Sequence, residues 1–311
     1  MANYQITNRT GAQVKAVLDN FTSVANPYTL KLTGTATGVH MYGGLGSIAA
    51  GSSDTLSNSI GVHSLSVGTD TEASGNYSTA LGLYTKASGT YSCATGNQTT
   101  ASGESSHAEG SQTTASGRGS HAEGGHYNST NTISSWTPET GVTIDAPLAS
   151  GDNSHAEGNE TYAKNYNSHA EGFRTMASGT SSHAEGDNTE ASGASSHAEG
   201  SAAIASGLQS HAEGSNAIAS GINSHAEGYG TYALGISSHA EGGDHKGNGT
   251  HRDPFSVVSE ETQTSISIIG SRAEGNDSHA EGVQTYAEGY VSHTEGIQTH
   301  ASGICSHAEG F

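Results

Sequence analysis

The chain is short of nearly everything from which an ordinary globular core is made. Leu, Ile, Val and Phe together number 40 in 311 residues, aromatics make up 6%, and there is one Trp. So few large apolar side chains exclude two or three conventional domains, although the length alone would allow them. Lys and Arg number 10 against 30 Asp and Glu, for a formal net charge of −20. Nucleic acid is therefore not an expected partner, because phosphate binding needs cations. The two cysteines, Cys93 and Cys305, lie near opposite ends of a repetitive region. Stacked repeats would hold them too far apart for an intrachain disulfide. No apolar run approaches the roughly 20 residues of a membrane-spanning helix. Met1-Ala2-Asn3-Tyr4-Gln5 lacks the basic and apolar regions of a secretory signal, so no membrane insertion or secretion is expected.

What the chain has is glycine, 44 residues of it. A composition this polar would suggest disorder were it not periodic. The pentapeptide Ser-His-Ala-Glu-Gly recurs from Ser106–Gly110 to Ser306–Gly310, with Ser292-His293-Thr294-Glu295-Gly296 as a variant. Copies within a block lie 14 residues apart, and Thr-x-Ala-Ser-Gly falls halfway between them, as at Thr113–Gly117 and Thr175–Gly179. A fixed short period is the signature of a solenoid, which buries small side chains and ladder hydrogen bonds instead of one bulky core.

Residues 1–57 form a non-repetitive attachment segment. Val14, Val17, Leu18 and Phe21 fall at i, i+3, i+4 and i+7, one stripe of a short helix with Thr10 as N-cap. Such a helix is marginal alone, so its stripe is expected to pack on other proteins. Tyr28–Leu32 reads as a strand, and the Gly/Ala-rich stretch through Gly51 as irregular connection. Solenoid blocks are expected at 58–124, 147–242 and 269–311. Insertions at 125–146 and 243–268 separate them, each a small hairpin: Thr132–Trp136 against Val142–Ile144, and Phe255–Val258 against Ser265–Ile268. Asn165 occupies a glycine slot, and Asn tolerates the left-handed region best after Gly, so the slot is expected to need positive φ at a tight corner.

Two half-turns of seven residues give one strand of four or five residues on each side of a flat coil, at about 3.3 Å per residue. Counting back from each glycine, the second and fourth residues are small and point inwards; the first and third point out. In the Thr-x-Ala-Ser-Gly half the outward third position varies, which suits solvent. In the other half the early coils carry Leu65, Thr79 and Cys93 there, but from His107 on it is His twelve times, always with Glu two residues on. The pairs are His107 and Glu109, His121 and Glu123, His155 and Glu157, His169 and Glu171, His183 and Glu185, His197 and Glu199, His211 and Glu213, His225 and Glu227, His239 and Glu241, His279 and Glu281, His293 and Glu295, and His307 and Glu309. A face that does not vary meets something that does not vary, which in a homo-oligomer is another copy of itself. These residues are the expected axial ladder of a homotrimer.

Asn58-Ser59-Ile60-Gly61 and Tyr77-Ser78-Thr79-Ala80-Leu81-Gly82 resemble the Asn-Ser-Val-Ala-Ile-Gly coils in the head repeats of YadA-type trimeric adhesins. The Ser-His-Ala-Glu-Gly pentapeptides resemble those of phage tail-fibre and related virion proteins. The resemblance implies an all-β fold, a left-handed parallel β-roll assembled as a homotrimer. His and Glu stand where the adhesins carry Val and Ile. The adhesins' signal peptide and C-terminal membrane barrel have no counterpart in the sequence, which favours a virion fibre assembled in the host cytoplasm and fixed by its N-terminus.

Each ladder His is expected to donate to a Glu of a neighbouring coil or chain; metal binding is the rival reading, since imidazole nitrogens suit zinc. No cofactor is expected. Below about pH 4 the Glu rows would neutralise beside charged His, loosening the interface. Adjacent Ser and His point to opposite faces of a strand and cannot form a catalytic pair, so the chain is not expected to be an enzyme. A carbohydrate-active tail spike would need paired carboxylates in a groove, and Glu139, Asp145, Asp253, Glu260 and Glu261 show no such spacing. Aromatic residues on protruding segments commonly form binding hot spots, so Tyr127, Trp136, His251 and Phe255 are candidate contacts to a host-surface glycan or protein. The final pentapeptide is followed only by Phe311, and solenoid ends need covering. A tip protein or a removed C-terminal chaperone is the expected partner there.

Overall fold

The structure, a computed structural model, describes residues 40–44, 47–51, 60–125, 146–243, 255–258, 265–268 and 270–310. It is an all-β parallel solenoid of 14-residue coils, with no helix among the described residues. Each coil contributes one long and one short strand to two separate parallel sheets. The long strand His183–Asp187 pairs in register with His169–Phe173 before it and His197–Ser201 after it. The short strand Glu190–Ala191 pairs likewise with Met176–Ala177 and Ile204–Ala205.

Alternation assigns the faces as the sequence suggests. The Ala of each half-turn is fully buried up to the last coil, where Ala308 is half-buried, and the inward Ser and Thr are buried with few exceptions. The core is a column of alanines between two sheets, because only small side chains fit where strands are so closely apposed. The inward serines are mostly satisfied from within, whereas the buried hydroxyls of Thr85, Thr99, Thr161, Thr175, Thr189, Thr231, Thr285 and Thr299 have no hydrogen-bond partner. Ser106 Oγ donates to the Gly103 carbonyl at 2.8 Å, and Ser182 and Ser196 repeat this bond to Gly179 and Gly193 at 2.7 Å. The backbone ladder continues round the corners: Ser105 N donates to Thr90 O and Gln112 N to Asn97 O, both at 2.8 Å.

The two half-turns are less alike than expected. The Thr-x-Ala-Ser-Gly half makes a strand of two residues instead of four or five. Its chain is already bending at Ser192 and Gly193, whose N–H groups both donate to Ala205 O, at 3.0 and 3.2 Å. Two donors on one carbonyl end the ladder there.

The pentapeptide glycines do take positive φ, as Gly186 and Gly200 with φ 110° and 111°, but in the Thr-x-Ala-Ser-Gly half the slot has another cause. Asn165 is not left-handed; Asn167, two residues on, is, with φ 55°. The left-handed residue falls at that second position after the glycine along most of the roll, as at Ser105, Gln112, Ser181 and Asn188 (φ 55–63°). Where glycine fills the slot there is no room for a Cβ. One built on Gly103 would stand 2.0 Å from the Gly117 carbonyl oxygen of the next coil. At Asn165 the side-chain amide donates to the Ser178 carbonyl of the next coil.

The stretch expected to be irregular contains two strands. His40–Gly44 and Ser47–Gly51 pair antiparallel, and Ser47–Gly51 then pairs parallel with Leu65–Thr69. Ser47-Ile48-Ala49-Ala50-Gly51 has the Ser, Ala and closing Gly spacing of a pentapeptide, with Ile48 paired to Leu65 in the His position. The roll therefore starts a coil earlier than residue 58. The helix expected at Thr10–Phe21 and the strand at Tyr28–Leu32 lie outside the described residues, as does the first insertion's hairpin. The second insertion does form one, Phe255–Val258 against Ser265–Ile268, with Phe255 opposite Ile268.

Candidate functional site: the histidine–glutamate face

Parallel in-register pairing sets each pentapeptide on the next, His on His and Glu on Glu. Successive imidazoles from His107 to His307 stack with ring centroids 4.7–4.9 Å apart and planes within 15° of parallel. The stack crosses both insertions unbroken: His121 lies on His155 and His239 on His279. All twelve sequence-predicted pairs are thus brought into one row of rings beside one row of carboxylates.

The expected hydrogen bonds within the chain do not form. Nε2 of each imidazole from His121 to His293 is shielded from solvent and has no hydrogen-bond partner. The carboxylate of the same coil stands 3.5 Å away at His121 and 3.7 Å at His183, and 4.0 Å at His107 and His169. An N–H···O bond spans about 2.7–3.2 Å. The arrangement favours neutral rings. Burial, then the neighbouring imidazoles, push His121, His197, His225, His239 and His279 below the ordinary histidine range, and His169 down to about 4. Glu123 is pushed up, first by burial and then by its contact with the Glu109 carboxyl.

The opposite outward column is not simply a solvent face. Met176, Tyr162 and Tyr286 on it are buried. Tyr286 stacks on His300 at 4.9 Å, has the Arg272 guanidinium 5.9 Å from its ring, and donates its hydroxyl to Glu274. Burial pushes the Glu274 carboxyl up, but the Tyr286 hydroxyl and Arg272 outweigh it and hold the group below the usual range. Long flat side chains in register lie along the face and cover one another, which a reading from residue variety alone missed.

Most exposed large apolar residues also share one edge. Of 14 such side chains among the described residues, ten lie on the corner that leads into the long strand, Leu208, Ile222 and Ile236 in successive coils among them. None lies on the short-strand face, so the apolar surface borders the histidine row.

Residues 59–85, 87–106, 94–120, 170–196 and 198–224 match the YadA head domain repeat. These coils are YadA-type head repeats. No curated protein matches it. The YadA-type coils are a structural repeat and not an enzyme family, and the geometry agrees: each pentapeptide's Ser points inward and its His outward. Cys93 and Cys305 are free thiols. No helix among the described residues is long and apolar enough to cross a membrane. Val14, Val17, Leu18 and Phe21 lie outside the described residues, as do Tyr127, Trp136 and His251; Phe255 is on the second insertion's hairpin.

Proposed function

We propose that the chain is the shaft of a homotrimeric adhesin-like fibre in a bacteriophage virion, fixed through its N-terminal segment and directed at a host surface. The observation that carries the oligomer is the uniform His/Glu face with the apolar corner beside it. An invariant row of rings next to exposed Leu208, Ile222 and Ile236 is what a self-associating surface requires, since exposed apolar patches mark interaction sites. The Ser-His-Ala-Glu-Gly pentapeptides, which resemble those of tail-fibre proteins, support the virion setting. Val14, Val17, Leu18 and Phe21 would dock on other virion proteins. Tyr127, Trp136, His251 and Phe255, on the two insertions, are the proposed contacts to a surface glycan or protein.

Native mass measurement tests the oligomer, with three chains expected; a monomer or dimer at micromolar concentration sinks the reading. Gold-labelled antibody on intact phage particles tests the setting. The YadA match favours a second reading, a bacterial surface adhesin, for which the label would decorate cells and leave particles bare.

A further inference from the structure

We propose that the His/Glu face is a binding track for divalent first-row transition cations of zinc's kind, each held by one imidazole Nε2 and by the carboxylates of its own and the preceding coil. The donor atoms all come from one chain, so the inference does not depend on the trimer.

Spacing is the first argument. His121 Nε2 stands 3.5 Å from Glu123 Oε2 and 3.6 Å from Glu109 Oε1. Those separations are too long for hydrogen bonds, yet two ligands at about 2.0–2.2 Å from one tetrahedral ion stand about 3.4 Å apart. The own-coil contact recurs along the roll, at 3.7 Å for His183, 3.9 Å for His239 and 4.0 Å for His169. Groups of His, Glu and His whose donor atoms all lie within 4.8 Å recur at His121, His155, His169, His183 and His211.

The unpartnered nitrogens are the second. Ten Nε2 atoms are withdrawn from solvent with no hydrogen bond, and leaving a buried polar atom unsatisfied costs about 1–3 kcal/mol. A ligand that accepts the lone pair removes that cost at each nitrogen it binds.

Charge is the third. Twelve carboxylates repeat in parallel register along one face, and like charges on adjacent strands repel. A divalent ion cancels two of them. Charge balance therefore sets the occupancy at one ion per two coils, or about six per chain. Stacking fixes which donors serve. A lone pair lies in the plane of its ring, and neighbouring rings here lie in near-parallel planes. One ion cannot sit on two adjacent lone pairs, so each site takes one His and two Glu. Imidazole with carboxylate suits zinc, nickel or cobalt and not the oxygen-seeking alkaline earths.

The test strips the full-length chain with a chelator and titrates it with zinc chloride at pH 7.5, counting ions retained after gel filtration. Several ions per chain, approaching six, are expected; one or none overturns the proposal. Replacing Glu171, Glu185, Glu199 and Glu213 together by Gln should lower the count by about a third while circular dichroism keeps its β-signal. An unchanged count would mean adventitious binding to histidine alone and would also overturn it. Should the fourfold variant lose its fold, Glu199→Gln alone carries the same comparison, with the loss of one ion expected.

Discussion

His121 and His155 stack at 4.7 Å with planes 8° apart, although 34 positions separate them in sequence. Their strands pair as any neighbouring coils do, His on His and Gly124 on Gly158. Twenty residues, 126–145, are therefore additional to the 14 of a normal coil, and 244–269 add 26 in the same way between His239 and His279. Removing residues 126–145 as a unit should leave the roll's circular dichroism and thermal midpoint close to those of the parent. Removing one residue more or fewer should not, because a one-residue slip turns every inward side chain outward. Equal stability across the three deletions would refute the registered stack.

Glycine at the closing slot answers to space. Gly207 has ordinary φ, but a Cβ there would stand 2.0 Å from the Gly221 carbonyl oxygen. Gly207→Ala should cost about 3 kcal/mol or more, in the range reserved for steric conflict in a packed interior. A loss below about 1 kcal/mol in denaturant unfolding, the typical cost of any substitution, would show that the coils can part.

Ala202 sits in the left-handed region, with φ 54°. An L-residue pays about 1–2 kcal/mol there, and glycine does not. After the extra chain entropy of glycine, Ala202→Gly should gain about 0.5 kcal/mol. A drop in the thermal midpoint would count against this assignment of the corner.

Acid should weaken the fold earlier than the carboxylates alone imply. His169 lies among His155, His183, Glu157 and Glu185 and is held down to about 4. Its folded value is below its unfolded value of about 6.5, so the unfolded chain binds the proton more readily. The stability from this neutral ring is full above about pH 6.5 and falls away as pH drops through the window towards 4. The sequence alone suggested charged histidines and a change only below about pH 4; burial and the neighbouring rings favour the neutral form at His121, His169, His197, His225, His239 and His279 and move the onset up. Thermal midpoints from pH 7.5 to 4.5 check this, and a flat profile would contradict it.

The apolar edge should hold chains together. Leu208→Asp, Ile222→Asp and Ile236→Asp combined should leave each roll folded and reduce the native mass to that of one chain. A trimer that survives all three changes would place the interface elsewhere.

Much of this architecture was legible in the sequence, for a physical reason. A side-chain period of two within a repeat of seven fixes which residues face in, so Ala184, Ser182 and His183 could be placed without coordinates. What stayed hidden depends on neighbours in space. The Asn165 slot looked like a matter of backbone angle because the approaching carbonyl comes from 14 residues away. Tyr286 looked solvent-facing because its cover, Arg272 and His300, is assembled only by stacking. Ser47–Gly51 was missed because Ile48 and Ala50 stand where His and Glu mark the later pentapeptides.

The uninterrupted ring stack makes the shaft a ruler. Gly125 and Gly243 end long strands seven coils apart, and each coil adds one strand spacing of about 4.8 Å. The points where the two insertions leave the roll are thus about 34 Å apart in height, a distance that changes only in whole steps as repeats are gained or lost. Anything gripped at both points at once is measured against that interval, and a lineage adapting to a new surface must move along it in jumps of 14 residues.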